Sequence, residues 1–394
     1  MPAWFGWAAS QALFGWLVFD ATESPALVSV AFALRLLPLA IAGVPVGALS
    51  DRLGRIRILQ GSNLLAAAIA TALAAIAWSG RTELLTLLVA AAAFGLADSG
   101  RLVSGNNLVF DLAGGLGTTR AVAASNFVAG IGVAIGGGAA GQSLSRASPA
   151  VVAVAVALAY AASAALMTGV SEVRHARPAE RPSFAASLGA GLAMLREVPV
   201  VGGLIGLAFV VEVFAFSAMA LDPVFAGKVF TVGPAGLGLI IVARAGGRLC
   251  GSGILVLSPP QRALGRVLTF AVVGFGIALV TYAVAPRFQL ALPLVLGAGV
   301  ASVLVDALVL TALQTAVEHG SRGRAAGLWV LIVGLQPIGV LEVGLVAQFL
   351  GARDAQLLNG LIVGVFGLVL VGTGLGRRIR EIEARDPGRS GPSA

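Results

Sequence analysis

Charged residues, cysteine, histidine and lysine are all scarce in this chain of 394 residues. Only 11% of the residues are charged and 58% are apolar, whereas a soluble globular chain has about 25% charged residues. The chain therefore has too little polar surface to cover a water-soluble fold, and we expect an integral membrane protein. The single cysteine, Cys250, excludes an intrachain disulfide framework and a cysteine metal cluster. With two histidines, His175 and His319, little is left for metal or acid–base chemistry, and we predict no metal and no cofactor.

Apolar runs long enough to cross a bilayer recur along the whole chain. A spanning helix needs about 20 mostly apolar residues, and the runs lack the alternation of membrane strands. The sequence predicts an all-α membrane protein with twelve spans, at Trp4–Phe19, Ala26–Leu49, Ile58–Ser79, Leu84–Ser104, Ala121–Leu144, Pro149–Val170, Val198–Ala220, Pro234–Leu257, Val267–Ala285, Phe288–Ala312, Ala325–Leu350 and Gln356–Gly376. The first span is the weakest, and the absence of basic residues before it disfavours a signal peptide.

The arginines indicate the orientation. Most of them fall in the loops and tail on one side, and the loops on the other side hold only Arg81, Arg146, Lys228, Arg287 and Arg353. The positive-inside rule then predicts a multi-pass bacterial plasma-membrane protein with both termini in the cytoplasm. Because the cations are spread over separate loops and form no single stripe, the net charge of +8 does not indicate a nucleic-acid partner.

The longest polar interruption divides the spans six and six. We predict an N-terminal six-helix bundle over residues 1–170, an interdomain loop over 171–197, a C-terminal six-helix bundle over 198–376 and a basic tail over 377–394. Two bundles with the same topology fit parallel repeats related by an axis along the membrane normal. We expect the protein to be a monomer in contact with the lipid bilayer.

The fifth span is rich in glycine. Gly132 with Gly136 and Gly137 with Gly141 form pairs of small residues four apart, which allow another helix to approach closely. The same run matches the dinucleotide pattern GxGxxG, but no strand precedes it, so we reject that interpretation. Static packing and a sliding seam between the halves both remain open.

Eight ionisable residues fall inside the predicted spans. Each would cost about 2.5–3.5 kcal/mol if left unpaired near a helix centre, so these residues must pair, become neutral or face water. They are Arg35, Asp98, Arg101, Glu212, Arg244, Arg248, Asp306 and Glu342. Asp98 and Arg101 share a helix face, while depth along the helices suggests that Glu212 pairs with Arg244 and Asp306 with Arg248.

The segment GALSDRLGR at residues 47–55 resembles the loop signature of the major facilitator superfamily of secondary transporters. The run TESP at 22–25, the run RGR at 322–324 and the layout of the spans are similar to the branch containing enterobactin exporters and macrolide-efflux pumps. The chain departs from the pattern at Ile56, where a second basic residue is usual. It also lacks the antiporter proline in the fifth span.

This resemblance implies roles for several residues. A cytoplasmic latch between the halves would involve Gly47, Asp51, Arg52, Gly54, Arg55, Arg322 and Arg324. Spans one, four, seven and ten would line a central cavity, which would place Asp98, Arg101, Glu212 and Asp306 there. Spans two and eleven would face each other, so that Arg35 and Glu342 would form a gating pair beside Arg244 and Arg248.

These observations favour a secondary transporter that works by alternating access, with protons and a small molecule as its partners. A carboxylate in a low-dielectric cavity can exchange a proton, so Glu212 and Asp306 are the candidate proton carriers, with Asp98 held ionised by Arg101. We expect export of an amphipathic molecule of the drug or siderophore class by antiport. The alternatives are an uptake symporter of the same fold and a sensor or scaffold that transports nothing. An enzyme is disfavoured because the spans carry no HExxH pattern.

Overall fold

A computed structural model describes residues 1–80, 82–113, 118–170, 194–195, 198–257, 264–317 and 321–372. The described part is helical throughout, without strands. The first half contributes α1 (Pro2–Thr22), α2 (Pro25–Leu53), α3 (Arg55–Trp78), α4 (Leu84–Ala113), α5 (Thr118–Arg146) and α6 (Pro149–Leu166). The second half contributes α7 (Pro199–Val229), α8 (Gly233–Leu257), α9 (Leu264–Val284), α10 (Phe288–Thr315), α11 in two segments (Arg322–Val333 and Gln336–Leu350) and α12 (Ala352–Gly372).

Eleven helices of the described chain are long and apolar enough to cross a membrane. The exception is α1, whose 21 residues suffice in length but include several small and polar residues that lower its hydropathy. It nevertheless packs against α2, α5 and α6 within the bundle. Most of the interdomain loop 171–197 and the whole tail 377–394 lie outside the described residues.

Local sequence explains where the helices begin and end. The hydroxyl of Ser24 accepts a hydrogen bond from the Leu27 amide, and Pro25 occupies the first turn of α2, where its missing N–H costs nothing. Ser148 and Pro149 start α6 in the same way. Between α2 and α3 the chain turns at Gly54 with φ of 100°, a conformation that residues with a side chain rarely adopt.

Two helices differ from the expected spans. The seventh was predicted to end at Ala220, but α7 continues to Val229 and includes a π-helical stretch, Val211–Phe216. The eleventh was predicted as one span, but it is interrupted at Gly334 and Leu335, where Pro337 begins the second segment. A proline lacks the N–H that would continue the preceding turn, so the break has a local cause.

Both termini of the bundle lie on one side of the helices, here called the terminal side. On the opposite side, one buried apolar cluster draws residues from all twelve helices, for example Leu13 of α1, Phe225 of α7 and Ile240 of α8. Nearer the terminal side there are two smaller clusters, each within one half: one around Ile56 and Leu59 and the other in the second half. The halves therefore share a core on the opposite side and have separate cores on the terminal side.

The glycines of α5 separate into two faces. A Cβ on Gly136 would collide with the Phe5 backbone of α1 and one on Gly132 with Cβ of Trp4, whereas one on Gly137 would collide with Ile241 of α8. A Cβ on Gly141 would lie 2.6 Å from Cα of Gly238. The second face makes α5 and α8 a close seam between the two halves.

Gly141→Ala should therefore push α5 away from α8. We expect it to destabilise the protein by about 1–3 kcal/mol, the usual cost of overpacking, measured by thermal unfolding in detergent. Gly246→Ala on α8 is the matched control, because a Cβ there meets nothing within 4 Å, and it should be neutral or stabilising by up to about 1 kcal/mol. Equal effects of both substitutions would refute the close seam.

Candidate functional site

The first half contains a buried cluster of two arginines and one aspartate. Arg35 of α2 lies 2.9 Å from one carboxylate oxygen of Asp98 on α4, and Arg101, one turn further along α4, lies 3.2 Å from the other oxygen. The side chains of Arg35, Asp98 and Arg101 are only 3%, 10% and 5% exposed. One carboxylate is thus shared by two guanidinium groups, and the cluster carries one positive charge in excess.

Aromatic and hydroxyl groups surround these arginines. The Arg35 guanidinium stacks over Phe94 at 5.1 Å, and that of Arg101 over Trp4 at 4.7 Å. Arg35 also donates to the hydroxyl of Ser10 at 2.9 Å. Aromatic faces attract cations, most strongly where water is excluded. These contacts place both arginines in a site of the first half that is lined by aromatic and hydroxyl side chains.

In the second half, Arg244 of α8 forms an ion pair with Asp222 of α7 in which one guanidinium nitrogen donates to both carboxylate oxygens. The two oxygens of Asp222 lie 2.7 and 2.8 Å from Nη2 of Arg244. This pair is buried near the opposite side, where the halves share a core. It links α7 to α8 just beside the contacts between the two halves.

A second, more open cluster lies one turn further along α8. Arg248 lies 3.8 Å from Asp306 of α10 and donates to the Ser302 hydroxyl at 3.1 Å. The side chains of Arg248 and Asp306 are 41% and 30% exposed. Glu212, in the π-helical stretch of α7, is buried within electrostatic range of both.

The exposed part of this cluster faces the interior of the bundle. Leu239 stands about two and a half helical turns before Arg248, which puts the two on opposite faces of α8. Leu239 is 42% exposed on the outer surface, so Arg248 points inward, between the face of α8 that packs on α5 and the face that packs on α10. The cluster therefore borders the space between the halves.

Comparison with known proteins agrees with this architecture. A sequence profile of the Major Facilitator Superfamily matches residues 1–340. The chain belongs to the major facilitator superfamily.

Among solved structures, the nucleoside transporter NupG has the same fold. The superposition covers 94% of this chain and 96% of that protein, with a TM-score of 0.73 and 11% sequence identity. At that identity the likeness concerns the fold alone. No curated protein sequence matches the chain. Membership of this family makes the chain a multi-pass membrane transporter of a small molecule, while the resemblance to the enterobactin-exporter and macrolide-efflux branch stays a prediction.

Within this major facilitator fold, two predicted pairings are wrong. Arg35 was expected to meet Glu342 but binds Asp98, and Glu342 accepts from Asn359 of α12 at 3.3 Å. Arg244 was expected to meet Glu212 but binds Asp222. Depth along a helix gives only the level of a side chain, whereas pairing also requires the two faces to point at each other. The expected contacts of Asp98 with Arg101 and of Asp306 with Arg248 are present.

The sequence analysis missed Asp222. It was assigned to a loop because the seventh span was ended at Ala220, although the apolar run continues through Val224 and Phe225. Arg244 supplied the missing indication, since a buried arginine requires a carboxylate at its own depth. Ser10 and Phe94 were missed because neutral residues in an apolar run carry no pattern of their own.

The latch of the superfamily is only partly visible. Arg55 donates to the Asn107 carbonyl of α4 at 2.9 Å, and Arg324 donates to Ser321 of its own helix at 2.7 Å. Gly47 lies near Val103 and Arg52 is exposed. The side chains of Asp51 and Arg322 lie outside the described part of the structure. Clamping by these residues stays a prediction.

Removing the shared carboxylate should destabilise this transporter strongly. Asp98→Asn leaves two buried guanidinium groups without a counter-charge, and we expect a loss of about 3–5 kcal/mol, measured by denaturant titration in detergent. Asp306→Asn is the control, because its pair with Arg248 is long and partly exposed; it should cost less than about 1 kcal/mol. The charge-sharing arrangement would be refuted if Asp98→Asn cost no more than Asp306→Asn.

Proposed function

We propose that the protein is a proton-coupled secondary transporter in which Glu212 and Asp306 carry the proton. The observation that supports this proposal is their position with Arg248 in one cluster that borders the space between the halves. Two carboxylates facing one guanidinium leave a negative charge in excess when both are ionised. A proton on either carboxylate removes that excess, which is favourable where the dielectric is low.

Protonation can change the structure because Arg248 has two acidic neighbours. When Asp306 is protonated, Glu212 becomes the only anion available to Arg248, and the guanidinium is drawn toward α7. The π-helical stretch that carries Glu212 packs closely on α11, where Gly339 lies against the Val213 carbonyl. The contact with α11 would pass a shift of α7 to the helix that also packs on α2 of the first half.

The two sides of the bundle support alternating access. Among the described residues, the buried core that the halves share lies on the opposite side, which supports a conformation that opens to the terminal side. The interruption of α11 at Gly334 and Leu335 comes between its segment in the second half's own core and its segment against α2. In the converse state, the contacts between α2 and α11 would open on the opposite side.

Export of an amphipathic small molecule by antiport is the direction that the resemblance to efflux pumps implies. Uptake by symport is the second candidate, because NupG, which shares the fold, is a nucleoside transporter. The direction can be read from everted vesicles given a pH gradient, after a growth screen of antibiotics, siderophores and dyes has identified a substrate. Cells without substrate flux for any compound would instead favour a sensor or scaffold.

Glu212→Gln and Asp306→Asn should uncouple transport from protons. We expect each substitution to reduce substrate accumulation driven by a pH gradient at least about tenfold, because it replaces a proton-carrying carboxyl group with an amide that cannot ionise. Exchange of substrate in the absence of a gradient should persist. The measurement is uptake of labelled substrate into vesicles with and without a protonophore.

Glu342→Gln is the matched control for this experiment. Glu342 also lies within a span, but it binds Asn359 of α12 and lies apart from the central cluster. It should retain gradient-driven accumulation. Undiminished coupling in both Glu212→Gln and Asp306→Asn would overturn the proposal.

We further propose that the terminal side faces the cytoplasm, because the basic residues concentrate there. In a Cys250→Ser background, Arg57→Cys and Ser79→Cys place exposed thiols at the two ends of α3. A membrane-impermeant maleimide added to intact cells should label Ser79→Cys and leave Arg57→Cys unlabelled until the cells are broken. The reverse pattern would invert the orientation.

A further inference from the structure

The arginine cluster of the first half contains a positive charge that no described residue neutralises. Arg35 and Arg101 share Asp98, and both arginines are almost fully buried. Nη1 of Arg35 is buried without a hydrogen-bond partner among the described residues. A buried guanidinium that lacks part of its hydrogen bonding is expensive, since its charge has lost its water.

Other polar atoms near Arg35 are also without partners in the described structure. Oε1 of Gln11 and the hydroxyl of Tyr160 are both buried and unpartnered. Gln11 lines the same small cleft as Arg35, together with Phe14 and Phe32. Tyr160 lies within electrostatic range of Arg35, Asp98 and Arg101. This cleft is closed in the structure and has no room for a water molecule, so a ligand would enter only after the surrounding helices move. Its spare guanidinium donor and aromatic walls are the chemistry that recognises an organic anion.

The cluster also lies on the interior side of its helix. Val89 stands about two and a half turns before Asp98 on α4, hence on the opposite face, and it is 61% exposed on the outer surface. Arg101 is one turn nearer to the terminal side than Asp98 and is covered by Trp4, which lies in the first turn of α1. Movement of one tryptophan at the start of a helix would expose the guanidinium to the space between the halves.

We propose that Arg35 and Arg101 bind the carboxylate of an organic monoanion that carries an aromatic or apolar body, and that this anion is the transported substrate. The inference rests on the proposed transport function and names its substrate class. A monoanion would neutralise the one positive charge in excess. A guanidinium can donate two parallel hydrogen bonds to the two oxygens of a carboxylate. Trp4 and Phe94 already contact the two arginines and would pack on the apolar body.

The first experiment places a carboxylate beside Arg35 within the chain itself. Gln11→Glu is nearly isosteric, and its charge would stand beside the unpartnered side of Arg35. We expect the melting temperature in detergent to rise or stay unchanged, although a buried acid usually destabilises. Asn359→Asp is the control, because it also converts an amide to an acid, here at a fully buried position that faces Glu342; its melting temperature should fall by several degrees. A fall of similar size for Gln11→Glu would count against the proposal.

The second experiment measures binding directly and needs no transport. The probes are 2-naphthoate, 2-naphthamide and 2-naphthylmethylamine, which share one aromatic body and differ in charge. Only the carboxylate should raise the melting temperature of the wild-type protein. Its affinity should fall at least about 30-fold in Arg101→Gln, as for the loss of one partner of a buried charge pair, and the effect should be absent in Gln11→Glu.

The outcomes separate this inference from the proposed function. Equal stabilisation by the amide or the amine, no stabilisation by the acid, or an acid effect that survives in Arg101→Gln would each overturn the anion site, while proton-coupled transport could still stand. If carboxylate binding depends on Arg101 but transport does not respond to the pH gradient, the anion site is supported and the proposed proton coupling is overturned.

Discussion

The requirement that charge be neutralised inside the membrane organises this structure. An unpaired charge at the bilayer centre is costly, so each buried arginine is placed against a carboxylate. Arg35 of α2 meets Asp98 of α4, Arg101 meets the same Asp98 within its own helix, and Arg244 of α8 meets Asp222 of α7. These pairs tie helices together within one half and leave the contacts between halves to apolar residues, glycine and uncharged polar groups such as Ser24, whose hydroxyl donates to Gln348 at 2.9 Å. A transporter must break contacts between its halves in every cycle, and apolar surfaces that separate from each other leave no unpaired charge behind.

The seam between α5 and α8 follows the same logic. Gly141 and Gly238 bring two backbones into contact without a side chain between them, and Gly137 makes room for the side chain of Ile241. Association therefore depends on close packing, the main driving force available in lipid. Gly339 and Gly344 of α11 do the same against α7 and α2. Such surfaces are smooth along the helix, and a sliding motion costs little as long as no Cβ obstructs it. The close approach of α5 to α8 shows the packing itself, while a sliding role for these glycines stays a prediction.

Sequence reasoning succeeded where position along the chain is enough to predict the structure. Apolar run length located the helices, and the three-residue spacing of Asp98 and Arg101 gave their contact. It failed where the direction of the helix face also had to be known. The predicted partners of Arg35 and Arg244 lie at matching depths, but their helix faces do not point at the arginines. The π-helical stretch around Glu212 is a further cause, because one wider turn rotates every later side chain of α7 relative to a regular helix. The extension of α7 past Ala220, which places Asp222 beside Arg244, follows the apolar run through Val224 and Phe225 and was missed because the span was ended at the charged residue.

When Glu212 and Asp306 are both ionised, the two charged clusters carry opposite excess charge, and in the proposed mechanism this limits how substrate and proton can be coupled. Two unit charges about 15 Å apart in a medium of effective dielectric about 20 interact by about 1 kcal/mol, which is about fivefold in affinity. A carboxylate bound at Arg35 and Arg101 cancels the positive excess that helps to keep Glu212 and Asp306 ionised, so anion binding favours proton binding in the other half. A cationic substrate has the reverse effect and competes with the proton. If substrate and proton each raise the affinity for the other, the transporter binds both together, as in symport. If they compete, it binds them in turn, as in antiport. An organic anion as substrate therefore favours symport, whereas the resemblance to efflux pumps implies antiport. In the proposed mechanism, the sign of the substrate charge decides between the two.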